Sequence, residues 1–233
     1  VLDTSSPAGD LKAFATSIEP AKNVPREKLQ LGILISGGGS NLQAIIDAIA
    51  AGILDAEVSV VISNKSDAYG LERAKAAGIP AICLNPKEFI DKTAFDSAIL
   101  QELQKYPVDW AVMAGYMRLI TSTILDAYPN RVLNLHPSLL PSFAGAYAIR
   151  DALAANVRIT GVTVHIANEV FDEGPIIAQR AVPVLQDDDY DSLAQRIHVA
   201  EHKLYPEVLQ LIAENRLTIK NGKVRILALE GSK

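Results

Sequence analysis

Only one cysteine, Cys83, occurs in this sequence, which excludes an internal disulfide and any metal cluster built on thiolates. Its apolar surroundings, Pro80-Ala81-Ile82-Cys83-Leu84, suit a buried strand thiol and a reducing compartment. Long apolar runs are missing too. None reaches the roughly 20 residues of a membrane span, so no membrane role is expected. Positive charge is in deficit: 22 Lys and Arg stand against 27 Asp and Glu, a formal net charge of -5. Such a surface repels a polyanion, which makes nucleic acid a poor partner. Repeats, heptads and low-complexity tracts are absent. His198 and His202 share a helical face at i, i+4, but no Glu follows His198 as a His-Glu-x-x-His zinc helix requires, so no metal is expected.

What remains is a chain of 233 residues with 49% apolar and 21% charged content, ordinary for one large folded domain. Residues 1–29 contain Pro7, Pro20 and Pro25 without hydrophobic periodicity and read as an irregular extension. They mix Asp3, Asp10 and Glu19 with Lys12, Lys22, Arg26 and Lys28, unlike an Arg-rich, acid-poor targeting peptide. An untargeted, cytoplasmic protein is the expectation.

The main domain is expected over residues 30–217. Short β-rich runs at 31–36, 57–63, 80–84, 110–114 and 132–136 alternate with segments long enough for crossover helices. In the first such segment Leu42, Ile45, Ile46 and Ile49 have one-face helical spacing, and Phe95, Ile99 and Leu103 repeat it later. Strand, helix, strand in this order predicts an α/β fold: a Rossmann-like, doubly wound, mostly parallel sheet with helices on both faces. Runs at 160–167 and 176–184 are joined too closely for a crossover, so an antiparallel strand is expected toward the C-terminal half. A helix is predicted from Tyr190 to about Leu204 after three acids. The tail over 218–233 permits a weak hairpin at Asn221-Gly222.

Two features carry chemistry. Ser36-Gly37-Gly38-Gly39-Ser40-Asn41 leads from the first strand into the first helix; read as a plain tight turn, it would have Ser40 or Asn41 as N-cap. Backbone N–H groups at glycines and a helix amino terminus together suit a phosphate. It is neither a dinucleotide fingerprint, since Leu42 stands where the third glycine belongs, nor a P-loop, since it lacks Lys. The second feature is Asn134-Leu135-His136-Pro137-Ser138-Leu139-Leu140-Pro141, with Phe171-Asp172-Glu173-Gly174-Pro175 at a distance. Alternation on a strand puts Asn134 and His136 on one side, and Pro137 ends that strand. The carboxyl end of a strand is where open α/β sheets place their ligand crevice. Carboxamide, imidazole and carboxylate together are the groups needed to move an acyl unit without a metal. Asn134 would donate to a developing oxyanion, His136 would act as general acid, and Asp172, if near, would favour the charged imidazole. His165, within Thr163-Val164-His165-Ile166, reads as a packed strand residue.

The chain resembles the phosphoribosylglycinamide formyltransferase family. The resemblance rests on Ser36 to Ile45, Ser63 to Leu71, Ala114 to Ile120, Asn134 to Pro141, Asp172 to Pro175 and Glu201-His202-Lys203-Leu204-Tyr205-Pro206, in the family's order. It implies formyl transfer from 10-formyltetrahydrofolate to the amine of glycinamide ribonucleotide. It further implies that Gly39, Ser40 and Asn41 hold the substrate phosphate and Glu201 contacts its ribose. Met117, Arg118, Leu119, Ile120, Lys92 and Asn134 would meet the folate. A monomer or homodimer is implied. The Asn-x-His-Pro-Ser-Leu-Leu-Pro run is shared with formyltransferases acting on initiator tRNA and with formyltetrahydrofolate hydrolases, which remain alternatives beside a non-enzymatic nucleotide-sensing module. Four positions depart from the family pattern: Gly38 for a frequent Asn, Ala144 for Pro, Tyr147 for a frequent His, and Asn168 for a common acid. Without the proline, φ at Ala144 is free.

Overall fold

The computed structural model describes residues 28–228. Most of the expected 1–29 extension and the last five residues of the tail therefore lie outside the described residues. Five parallel strands come first: β1 (Leu29–Ile35), β2 (Ala56–Ser63), β3 (Ala81–Cys83), β4 (Trp110–Met113) and β5 (Val132–His136). Then β6 (Ile159–Ile166) runs antiparallel to β5, and β7 (Ile176–Pro183) antiparallel to β6. The spatial order is β3-β2-β1-β4-β5-β6-β7. The chain reverses direction of growth between β1 and β4, so a crevice opens beyond their carboxyl ends.

Alternation decides which helix each strand residue meets. Leu31, Ile33 and Ile35 of β1 and Leu133 and Leu135 of β5 face one core, shared with α1 (Ser40–Ala50), α2 (Tyr69–Ala76), α5 (Ala148–Ala154) and α6 (Tyr190–Ala213). Leu34 and Val132 face the other, against Phe95, Ile99 and Leu103 of α3 (Lys92–Leu103) and Ile124 of α4 (Ser122–Ala127). Asn134 and His136 share parity with Val132 and so stand on the α3–α4 side, as the strand period requires.

Some local expectations change. Cys83 is exposed, because β3 is a three-residue edge strand paired on one side only. β1 begins one residue inside the stretch read as extension. α6 continues nine residues past Leu204, through Pro206. A helix normally ends before proline, but burial of Tyr205, Pro206, Val208, Leu209 and Ile212 outweighs one missing N–H. Tyr205 is fully buried and its hydroxyl reaches the Met113 and Leu133 carbonyls at 3.0 and 3.2 Å, pinning α6 to β4 and β5. The tail forms the expected hairpin, β8 (Leu217–Lys220) and β9 (Lys223–Ile226), with Asn221 and Gly222 both at positive φ.

Candidate active site

The glycine loop is shaped by one obligatory glycine. Gly39, not Ser40 or Asn41, is the N-cap of α1, with φ 69° and no side-chain cap. A Cβ there would sit 2.6 Å from the Gly70 Cα, so a side chain is excluded by conformation and by space. Gly37 and Gly38 have open room where a Cβ would stand, so Gly38 departs from the family's Asn at no steric cost. The first-turn N–H groups of α1 thus have no side-chain acceptor and present an anion-binding end. Ser36 joins this loop to its neighbours: its Oγ donates to Asn64 Oδ1 at 2.6 Å and accepts from the Met117 N–H at 2.8 Å.

Asn41 points elsewhere than a cap. Its Nδ2 donates to Glu201 Oε2 at 3.0 Å, and His198 Nδ1 donates to the same oxygen at 3.0 Å. Glu201 is 3% exposed, and its hydrogen bond with His198 pushes that imidazole up against the opposing effect of burial. The glycine loop, Asn41, Glu201 and His198 line a cavity of about 520 Å³, and Tyr147, Arg150 and Tyr190 are on its wall as well.

Beside it, β5 carries the polar pair. His136 Nε2 donates to the Phe143 carbonyl at 2.8 Å, and Nδ1 faces Asp172 Oδ2 at 3.3 Å. The distant carboxylate expected beside the imidazole is there. Asp172 takes φ 58° in the turn between β6 and β7, and its Oδ2 also accepts the Gly145 N–H at 2.9 Å. A tight turn follows, since a Cβ on Gly174 would collide with the Ile166 carbonyl. Burial works to raise the Asp172 carboxyl. The Gly145 N–H and the neighbouring His136 oppose it, and the group is held below the usual carboxylate range.

His165 changes its reading. It is buried, yet its Nε2 lies 3.0 Å from Asn134 Nδ2 and 3.7 Å from Asp172 Oδ1. Asn134 and His165 are register partners across the antiparallel β5–β6 ladder, so their side chains leave the same face. The sequence held only half of this signal: alternation in 163–166 puts Thr163 and His165 on one face, and the β5–β6 pairing seen in the structure brings that face to Asn134 and His136.

Arg118, Leu119 and Ile120 line a narrow crevice with Asn134, His165 and Asp172. Met117 stands apart from them, on the wall of the larger cavity. Arg118 lies 5.0 Å from the Phe95 ring centroid, and the buried Asp96 accepts the Thr121 N–H at 2.6 Å, so α3 holds both ends of this wall. Lys92, the first residue of α3, is exposed and on neither cavity wall. Asn168 Oδ1 and Asp172 Oδ1 are buried at the crevice with no hydrogen-bond partner among the described residues, as a site for a polar ring bearing N–H donors would have them. No group of three or more His, Cys, Asp or Glu suited to a metal occurs among the described residues.

Residues 29–209 match the model of the formyl transferase family. The chain belongs to that family. It is 41% identical over 187 residues to phosphoribosylglycinamide formyltransferase of Bacillus subtilis, covering 80% of this chain and 96% of that one. It is 42% identical over 200 residues to the trifunctional purine biosynthetic protein adenosine-3 of Homo sapiens, covering 85% of this chain. The chain spans only 20% of that longer protein's length. The crystal structure of glycinamide ribonucleotide transformylase 1 from Symbiobacterium toebii superposes with a TM-score of 0.86 at 49% identity, covering 89% of this chain and 99% of the other. In this formyl transferase the family match ends inside α6, so the C-terminal hairpin lies beyond it.

Proposed function

We propose that this protein transfers the formyl group of 10-formyltetrahydrofolate to the amine of 5-phosphoribosylglycinamide, as a step of purine biosynthesis. The observation that carries the reading is the 3.3 Å approach of Asp172 to His136, on the strand face shared with Asn134 and beside the glycine-loop cavity. In this reading Gly39, Ser40 and Asn41 hold the phosphate and Glu201 meets the ribose. Met117 to Ile120 and the buried acceptors Asn168 and Asp172 meet the folate, whereas Lys92, on neither cavity wall, is left out of this reading. The amine attacks the formyl carbon directly. The Asn134 amide donates to the oxygen that gains charge, where a pre-positioned donor is worth most. The Phe143 carbonyl accepts only, so His136 carries its hydrogen on Nε2, and Nδ1 faces Asp172. As general acid, His136 exchanges its Phe143 contact for the substrate and gives the Nε2 hydrogen to the departing folate nitrogen, while Nδ1 is free to take a proton from the Asp172 side. Asp172 then relays the proton that the amine loses.

Hydrolysis to formate would leave the glycine loop and Glu201 without a task, and the acidic surface disfavours a tRNA acceptor. A cytoplasmic monomer or homodimer fits the reading. The test is spectroscopic: tetrahydrofolate formation at stoichiometric cosubstrate, with and without glycinamide ribonucleotide. Product only with the amine present is expected; equal product in its absence points to hydrolysis and overturns the proposal.

A further inference from the structure

The loop from Ser142 to Tyr147 supplies two of the contacts that set the geometry of the catalytic pair: the Phe143 carbonyl on His136 and the Gly145 N–H on Asp172. Regular structure does not hold it. Phe143 and Gly145 have φ of 54° and 99°, and a bulky residue at positive φ is held at a cost that its surroundings must offset. Between them stands Ala144, with no ring to restrict its backbone. The restraint stands at the loop's end. Tyr147 is the N-cap of α5, and Arg150, inside the first turn, places its guanidinium 5.8 Å from the Tyr147 ring centroid. The same guanidinium is 5.6 Å from the ring of Tyr190, the first residue of α6.

Aromatic faces attract such a cation through the ring quadrupole. Core packing does not account for the arrangement, since all three side chains are exposed, and among the described residues Arg150 has no carboxylate at ion-pair distance. The partner helix is well chosen as an anchor, because Tyr205 pins α6 to β4 and β5. We propose that Arg150 is a positioning residue: by bridging Tyr147 and Tyr190 it fastens the 142–147 loop to α6 and keeps the Phe143 carbonyl and the Gly145 N–H on His136 and Asp172. Its kinetic consequence rests on the catalytic reading above; its structural consequence does not.

The test compares Tyr190→Ala, Tyr190→Phe and Arg150→Met by hydrogen exchange of the 142–147 amides and by steady-state transfer kinetics. The Asp189–Ser192 capping box starts α6 without the Tyr190 ring, so these variants keep the fold. Loss of one exposed cation–π contact is expected to speed exchange about two- to fivefold in Tyr190→Ala, and more in Arg150→Met, which loses both. kcat falls in step with the faster exchange, and Tyr190→Phe, which keeps the ring, keeps the wild-type exchange rate. Unchanged exchange in Tyr190→Ala and Arg150→Met, or Tyr190→Phe behaving like Tyr190→Ala, overturns the inference. If exchange responds as expected but the wild-type protein transfers no formyl group, the catalytic reading fails and the clasp stands.

Discussion

His165 Nε2 lies 3.0 Å from Asn134 Nδ2, across a ladder in which the two residues are direct partners. The other ring nitrogen faces the Ile166 carbonyl at 3.1 Å. A carbonyl only accepts, so Nδ1 carries the hydrogen and Nε2 is free to accept from the amide. The amide is thereby oriented with its second N–H not engaged by His165, as the proposed transfer requires of a donor. Replacing His165 with Ala should lower kcat by about tenfold, less than the roughly 10² to 10³-fold loss expected for Asn134→Ala, which removes the donor itself. His165→Gln, whose amide oxygen also accepts, should recover part of the loss. Steady-state kinetics of the three variants checks the order.

Asp172 gives a pH dependence of stability. Its carboxyl is held below its ordinary value, so in acid the unfolded chain binds more protons than the folded one, and stability rises with pH there. The contribution is fully present above the unfolded pKa of about 3.9 and disappears as pH falls through the folded value. Asp172→Asn should fold, since Asn tolerates the left-handed conformation, and should lose that part of the acid slope. Thermal melts of both proteins from neutral to acid pH measure the difference; superimposable slopes would contradict it.

Gly39 and Gly38 should respond in opposite ways. Gly39→Ala meets both a positive φ and a 2.6 Å contact, and should cost about 1–3 kcal/mol in denaturant unfolding. Gly38→Asn enters open space and should stay within about 0.5 kcal/mol of the parent. A matched cost at the two sites would show that the loop's shape is set otherwise.

These contrasts also mark where the sequence was readable. Strands buried on both faces, such as 31–35 and 132–136, announced themselves as apolar runs, and Pro137 marked the end of the second. That Asn134 and His136 share a strand face was legible from the strand period, and Asp172 lies beside that imidazole as expected. His165 was not legible, because its role depends on β6 pairing with β5, a partner about 30 residues away that alternation alone does not name. The extent of α6 was hidden by Pro206, whose local preference lost to burial along the whole helix. Cys83 was misjudged because its neighbours are apolar while its strand is a short edge, a fact of topology and not of composition.

The central claim is that His136, held by Phe143 and Asp172, carries the proton transfers of formyl transfer. Single-turnover formation of tetrahydrofolate by His136→Ala, with glycinamide ribonucleotide present and the fold verified by circular dichroism, tests it most directly. A rate at least about 10²-fold below wild type is expected. A folded His136→Ala protein working within about threefold of wild type, well short of what a general acid contributes, would contradict it.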